Sequence, residues 1–87
     1  MSKSNNIFID SLSKLKHLTY SLVVDTISGG FCLELRQDGK YQAEYSYPVE
    51  RKVFDCIDEI KYFIKDETIT RIILLEHDTD DEIFLYP

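Results

Sequence analysis

Apolar and polar residues alternate along much of the first half of the chain. The alternation runs over residues 18–27, resumes over residues 31–36 and continues over residues 40–47. Because successive side chains of a β-strand point to opposite faces of a sheet, this pattern predicts strands with one apolar face. Turn residues at 28–30 and 37–39 separate the three runs. The sequence therefore predicts a three-stranded antiparallel meander.

The loop between the second and third strands decides which residues face each other. A two-residue loop at Asp38 and Gly39 would place apolar residues opposite polar ones, whereas a three-residue loop at 37–39 aligns both apolar rows. We therefore expect a type I turn with Gly39 in the left-handed conformation as a bulge. This register pairs Leu35 with Tyr41, Leu33 with Ala43 and Phe31 with Tyr45.

The loop between the first two strands needs an even number of residues for the same reason. A loop at residues 27–30 satisfies that condition. It would place Val24 opposite Leu33 and Leu22 opposite Leu35. On the third strand, Tyr41, Tyr45 and Tyr47 share one face, and the first two are expected to face the core.

Two segments have the spacing of an amphipathic helix. In residues 5–17, Phe8, Leu12 and Leu15 recur at intervals of four and three. A second helix is predicted from Pro48, which suits the first helical position, to residue 65. Its apolar stripe consists of Val49, Val53, Ile57, Ile60 and Ile64.

The last part of the chain predicts a β-hairpin. Residues 69–75 are rich in β-branched side chains and too short for a further helix, and residues 83–86 form a second apolar run. The predicted order is therefore helix, three-stranded meander, helix and C-terminal β-hairpin. We expect a single α+β domain over residues 1–87, with one antiparallel sheet and the helices on its apolar face.

The turn of this last hairpin is strongly acidic. The seven residues 76–82, called the acidic segment below, contain five carboxylates and no lysine or arginine. Like charges at this density repel one another, so they are kept together either in a turn that water screens or against a cationic partner.

The overall charge of the chain also favours a cationic partner. The formal net charge is −6, and residues 44–87 hold twelve acidic against five basic side chains. Binding to DNA, RNA or anionic lipid needs lysine and arginine to meet the phosphates, so this balance disfavours them as direct ligands. It favours a basic protein surface as the partner.

The sequence contains no signal for a membrane or an oxidising compartment. It has no hydrophobic run long enough to span a bilayer, and residues 1–6 do not resemble a signal peptide. Cys32 and Cys56 stand alone without metal-binding spacing, which is typical of reduced thiols. These features predict a cytoplasmic protein.

We find no pattern of a catalytic or cofactor site. The two histidines, His17 and His77, have no nucleophile at a recognisable spacing, and no glycine-rich loop precedes a helix. The acidic segment starts like an EF-hand loop, but Ile83 stands where that loop needs glycine. Asp78, Asp80 and Asp81 remain a weak alternative for a divalent ion. We predict neither an enzyme nor a cofactor.

Residues 6–65 resemble a small class of inhibitors. The segment Ile7-Phe8-Ile9-Asp10-Ser11-Leu12, the hairpin with Asp38-Gly39 and a helix after the third strand are similar to the layout of phage anti-CRISPR proteins that mimic DNA on Cas9. The strand pair at residues 35–47 is also similar to one in bacterial toxin-immunity proteins. Both resemblances imply an acidic protein that occludes a basic site.

Charge and resemblance together predict an inhibitory binding protein that covers the nucleic-acid-binding or catalytic surface of a nuclease-type partner. An alternative is a regulatory or assembly subunit that forms a homodimer through its sheet edge, with residues 83–86 in the contact. The expected partner-binding residues are first Glu76, Asp78, Asp80, Asp81 and Glu82, and then Asp55, Asp58, Glu59 and Tyr62 on the second helix.

Overall fold

The computed structural model describes residues 3–16, 19–46 and 49–87. Helix α1 (Lys3–Ser11) continues into a 3₁₀ turn (Leu12–Lys16), and helix α2 spans Ile57–Ile64. The strands are β1 (Tyr20–Thr26), β2 (Gly29–Leu35), β3 (Tyr41–Ser46), β4 (Val49–Phe54), β5 (Ile69–Glu76) and β6 (Asp81–Tyr86). Within these ranges no helix has the length and apolarity needed to cross a membrane.

The six strands form one antiparallel sheet in the order β4-β3-β2-β1-β5-β6. The predicted α+β class with a single antiparallel sheet is confirmed. The first four strands form a meander, and the C-terminal hairpin adds to its free side because β5 pairs with β1. Strands β4 and β6 are the two edges.

One prediction about the elements is wrong. The second helix was expected to start at Pro48, yet residues 49–54 form strand β4 and the helix starts only at Ile57. The spacing of Val49 and Val53 suits a helical stripe, but pairing with β3 satisfies the backbone there and buries Phe54 instead. Pro48 itself lies outside the described residues, as do His17 and Tyr47.

Of the two hairpin registers predicted for the meander, one is confirmed and the other is shifted. The pairs predicted between β2 and β3 are confirmed, and Gly39 has a φ of 85°, as the three-residue loop requires. Between β1 and β2 the loop is even, as expected, but it contains only two residues. Leu22 therefore lies opposite Leu33 and not opposite Leu35, a shift of two residues that keeps the same side chains on the core face.

Both helices cover the same face of the sheet. Phe8, Leu12 and Leu15 of the first helical segment are fully buried, as are Ile60 and Ile64 of α2. They pack against the inward row of the strands, and half-buried Tyr41 and Tyr45 border this core as predicted. An aromatic cluster of Phe8, Phe31, Tyr45, Phe54 and Phe63 extends the core toward β4.

The other face of the sheet carries no helix within the described ranges, and we call it the open face. Its middle row runs across all six strands, since the register places Arg51, Glu44, Cys32, Val23, Ile73 and Phe84 side by side. The row is polar toward β4 and apolar toward β6. The open face therefore brings an apolar surface to the same edge that carries the acidic segment.

Candidate binding surface

The acidic segment forms the tip of the C-terminal hairpin, as predicted. Glu76 ends β5 and lies directly opposite Asp81, the first residue of β6. Residues 77–80 form the turn, in which Asp80 adopts a left-handed conformation with φ of 57° and Thr79 Oγ1 accepts a hydrogen bond from the Asp81 N–H. The turn therefore holds its carboxylates close together at the surface.

None of the five carboxylates of this segment forms an ion pair within the described part of the chain. The four ion pairs found there involve other acids: Asp25, Asp38, Glu44 and Asp55. Glu76 is half-buried and the other four are exposed. Glu76 and Asp81 face each other across the strands, where like charges are unfavourable. Among the described residues, no ion pair therefore compensates the negative charge of the segment.

His77 is directed away from these carboxylates and onto the open face. Its backbone N–H donates to the Thr19 carbonyl, and its ring is hydrogen-bonded to the buried Ser21 hydroxyl. The Ser21 hydroxyl also donates to Glu34 Oε1 at 3.1 Å. These bonds attach one end of the acidic turn to β1 and β2.

Two exposed apolar residues follow the acidic segment, and the sequence analysis named them only for the alternative homodimer and not among the expected partner-binding residues. Ile83 and Phe84 are 48% and 59% exposed. Phe84 lies opposite Ile73 on the open face, so it adjoins the apolar half of that face. An exposed aromatic ring beside carboxylates is a typical composition of a protein-binding surface.

The second group of predicted residues lies around the start of α2, where two of its acids have structural partners. Asp55 forms an ion pair with Lys40, with 3.2 Å between the carboxylate oxygen and the ammonium nitrogen. Glu59 Oε1 accepts a hydrogen bond from the Asp55 N–H at 3.2 Å and so links the first turn of the helix to the residues that precede it. Asp58 is exposed, and Tyr62 is 72% exposed with the Lys65 ammonium 4.2 Å from its ring centre.

The two groups do not form one acidic patch. Asp55 and the acidic segment lie at the same end of the sheet, but β3, β2 and β1 separate β4 from β5. At about 4.8 Å per strand, this places them about 20 Å apart. Between them lies the turn of Arg36 and Lys40, whose side chains pair with Asp38 and Asp55.

The remaining candidate chemistry is limited. Cys32 and Cys56 are free thiols. Burial raises the pKa of the Cys32 thiol, the Glu34 and Glu44 carboxylates add to the shift, and a Ser21 hydrogen bond opposes it. Cys32 is therefore a protonated, weakly reactive thiol at neutral pH. In the part of the chain that the structure describes, no three Asp, Glu, His or Cys side chains are arranged to hold a metal ion.

Comparison with known proteins adds no relative, since no family model, curated protein or solved structure matches the chain.

Proposed function

We propose that the protein is a small acidic inhibitory binding protein that blocks the nucleic-acid-binding or nuclease surface of a basic partner in the cytoplasm. The observation that carries the proposal is the acidic segment, whose five carboxylates form no ion pair with the described residues, beside exposed Ile83 and Phe84. The proposal includes both resemblances described above, because anti-CRISPR-like and immunity-like inhibitors each occlude a basic site.

The inhibition would be steric and electrostatic, without a chemical step. The carboxylates attract lysine and arginine of the partner and raise the association rate, an effect that salt screens. Phe84 supplies apolar area that is removed from water in the complex and slows dissociation. Nucleic acid is then excluded because its phosphates would need the same cationic side chains.

The first test neutralises part of the acidic segment. Asp80→Asn with Asp81→Asn removes two exposed charges from the turn. The matched control, Asp10→Asn with Asp66→Asn, makes the same change in net charge at exposed sites away from it. We expect the wild-type protein to suppress DNA binding or nuclease activity in extracts of the source cell, and the control to match it.

The kinetic readout is the association rate of the captured partner at several salt concentrations. Loss of two steering charges should slow association at low salt by about 3- to 10-fold and flatten its salt dependence. Equal association rates for the turn variant and the wild type at low salt would contradict the proposal.

A further inference from the structure

The outer edge of β4 has an unusual composition for a strand at the end of a sheet. The sheet order leaves the outward N–H and C=O groups of Val49–Phe54 without a strand partner among the described residues. Exposed edges are normally protected against pairing by charged side chains, which oppose a second strand where like charges meet. This edge has charges of both signs between two exposed valines, 89% exposed at Val49 and 44% at Val53.

The order of these side chains is self-complementary. Reading Val49-Glu50-Arg51-Lys52-Val53 in the opposite direction again gives valine at both ends and charged residues between them, with glutamate and lysine exchanged. We propose that β4 pairs antiparallel with β4 of a second copy, centred on Arg51, and joins the two sheets into one of twelve strands. Glu50 then faces Lys52 of the other copy twice, and Val49 faces Val53 twice.

The faces of the strand agree with this register. Lys52 and Glu50 lie opposite Ala43 and Tyr45, so both point to the helix-bearing face, whereas Val49 and Val53 point to the open face. A two-fold axis perpendicular to the sheet keeps each pair on one side. Moving the register by two residues would instead oppose two lysines or two glutamates, which is unfavourable.

The charges that would meet are available in the monomer. Neither Glu50 nor Lys52 forms an ion pair in the described chain, and the Lys52 ammonium rests 4.9 Å from the Phe63 ring centre. Arg51, which meets its own copy at the axis, is already paired with Glu44 at 2.7 Å. Glu44 thereby compensates the positive charge of Arg51 and reduces the repulsion between the two Arg51 side chains at the two-fold axis.

An open groove lies beside β4. A groove of about 830 Å³ runs between β4 and α2, with Phe54, Phe63 and exposed Tyr62 among its lining residues. The other edge is less suitable for self-pairing, because antiparallel pairing of β6 with itself over its full length would place Asp81 and Glu82 opposite apolar residues. A six-residue strand pair is a small interface, so we expect a dissociation constant on the order of micromolar or weaker.

The test reverses the two charges one at a time and then together. Glu50→Lys and Lys52→Glu each place like charges opposite one another twice, whereas the combined variant restores both pairs with exchanged signs. We expect sedimentation velocity across micromolar to millimolar concentrations to show a monomer–dimer equilibrium for the wild type. Each single reversal should weaken dimerisation at least 10-fold, and the double reversal should restore it. Circular dichroism verifies that all variants are folded.

The register is tested by cross-linking in a Cys32→Ala, Cys56→Ser background. When the Val49→Cys and Val53→Cys proteins are mixed, they should form an intermolecular disulfide, because the two Cβ atoms would be about 5 Å apart. Each protein alone should form no disulfide. A monomeric wild type, single reversals that dimerise normally or a folded double reversal that stays monomeric would overturn the proposal. Asp80→Asn/Asp81→Asn should dimerise normally, so that failure of one proposal leaves the other intact.

Discussion

Tyr45 shows how single residues are affected by their place at the border of the core. Its ring lies 5.8 Å from that of Phe31 and 6.1 Å from that of Phe63. Burial, together with the Glu67 and Glu50 carboxylates, raises its pKa to about 12 from a usual value of 10.0. Both causes disfavour the charged phenolate, because it would lose hydration and meet like charges.

This pKa shift makes stability depend on pH in the alkaline range. Unfolded Tyr45 releases its proton near pH 10, whereas folded Tyr45 keeps it until about pH 12. The contribution of Tyr45 is therefore complete below pH 10 and is lost as the pH rises toward 12. We expect urea unfolding to show a steeper fall in stability over this interval for the wild type than for Tyr45→Phe.

A second phenol-to-phenyl change provides the control for that experiment. Tyr62→Phe removes the same hydroxyl from a ring that is 72% exposed. Its stability should follow the wild-type pH dependence. If the stability of Tyr45→Phe also follows the wild-type pH dependence, the border of the core does not hold the Tyr45 hydroxyl in its protonated form.

At the scale of the elements, alternation of apolar and polar residues was a reliable guide, whereas helical spacing was correct for Phe8, Leu12 and Leu15 and misleading for Val49 and Val53. The β2–β3 register followed from matching Leu35 with Tyr41, because only one register kept the apolar row intact. Residues 49–54 show only the helical period, since Val49 and Val53 are four apart, whereas each strand face mixes apolar and charged side chains, such as Phe54 with Lys52. Only pairing with β3, a tertiary contact, selects the strand.

The acidic turn of the candidate site could be predicted from the sequence, but its surroundings could not. The acidic segment is locally encoded and its place in a hairpin turn followed from the two apolar runs that flank it. The separation of Asp55 from that turn was not predictable, because it depends on β5 pairing with β1. Nor was the exposure of Phe84, which depends on β6 being an edge.

Two truncations in β4 distinguish the strand from the helix. In the strand, Phe54 is 7% exposed and its ring centre lies 5.1 Å from that of Phe63, whereas Val53 is 44% exposed. We therefore expect Phe54→Ala to lower the free energy of unfolding by about 3 kcal/mol or more, and Val53→Ala by under about 1 kcal/mol. A helix with Val53 in its apolar stripe would reverse that order in denaturant titration.

At the scale of the whole molecule, apolar side chains on the two faces of the sheet are expected to have different roles, stability on one face and partner binding on the other. Its helix-bearing face contains the core, in which Phe8 is fully buried against Phe31. Its open face gathers Val23, Ile73 and Phe84 beside the acidic segment. Stability and partner binding are therefore expected to depend on different aromatic residues.

This separation is tested by comparing two phenylalanines. Phe8→Ala removes a fully buried ring and should lower the free energy of unfolding by about 3–5 kcal/mol. Phe84→Ala removes a ring that is 59% exposed and should change stability by under about 1 kcal/mol. It should instead raise the dissociation rate of the captured partner. A strong loss of stability in Phe84→Ala would show that the open face belongs to the core.

The pairing of β1 with β5 also has a consequence for the order of folding. These strands lie more than 40 positions apart in the sequence, whereas the β1–β2, β2–β3 and β3–β4 pairings are local. Closing a long loop is entropically costly, so we expect the meander to form first and the C-terminal hairpin to dock last. Pulse-labelling hydrogen exchange should then find the amides shared by β1 and β5 protected after those of the meander. Until that step, β1 would be an unprotected edge in the middle of the future sheet, and newly made chains would be most prone to aggregate through it.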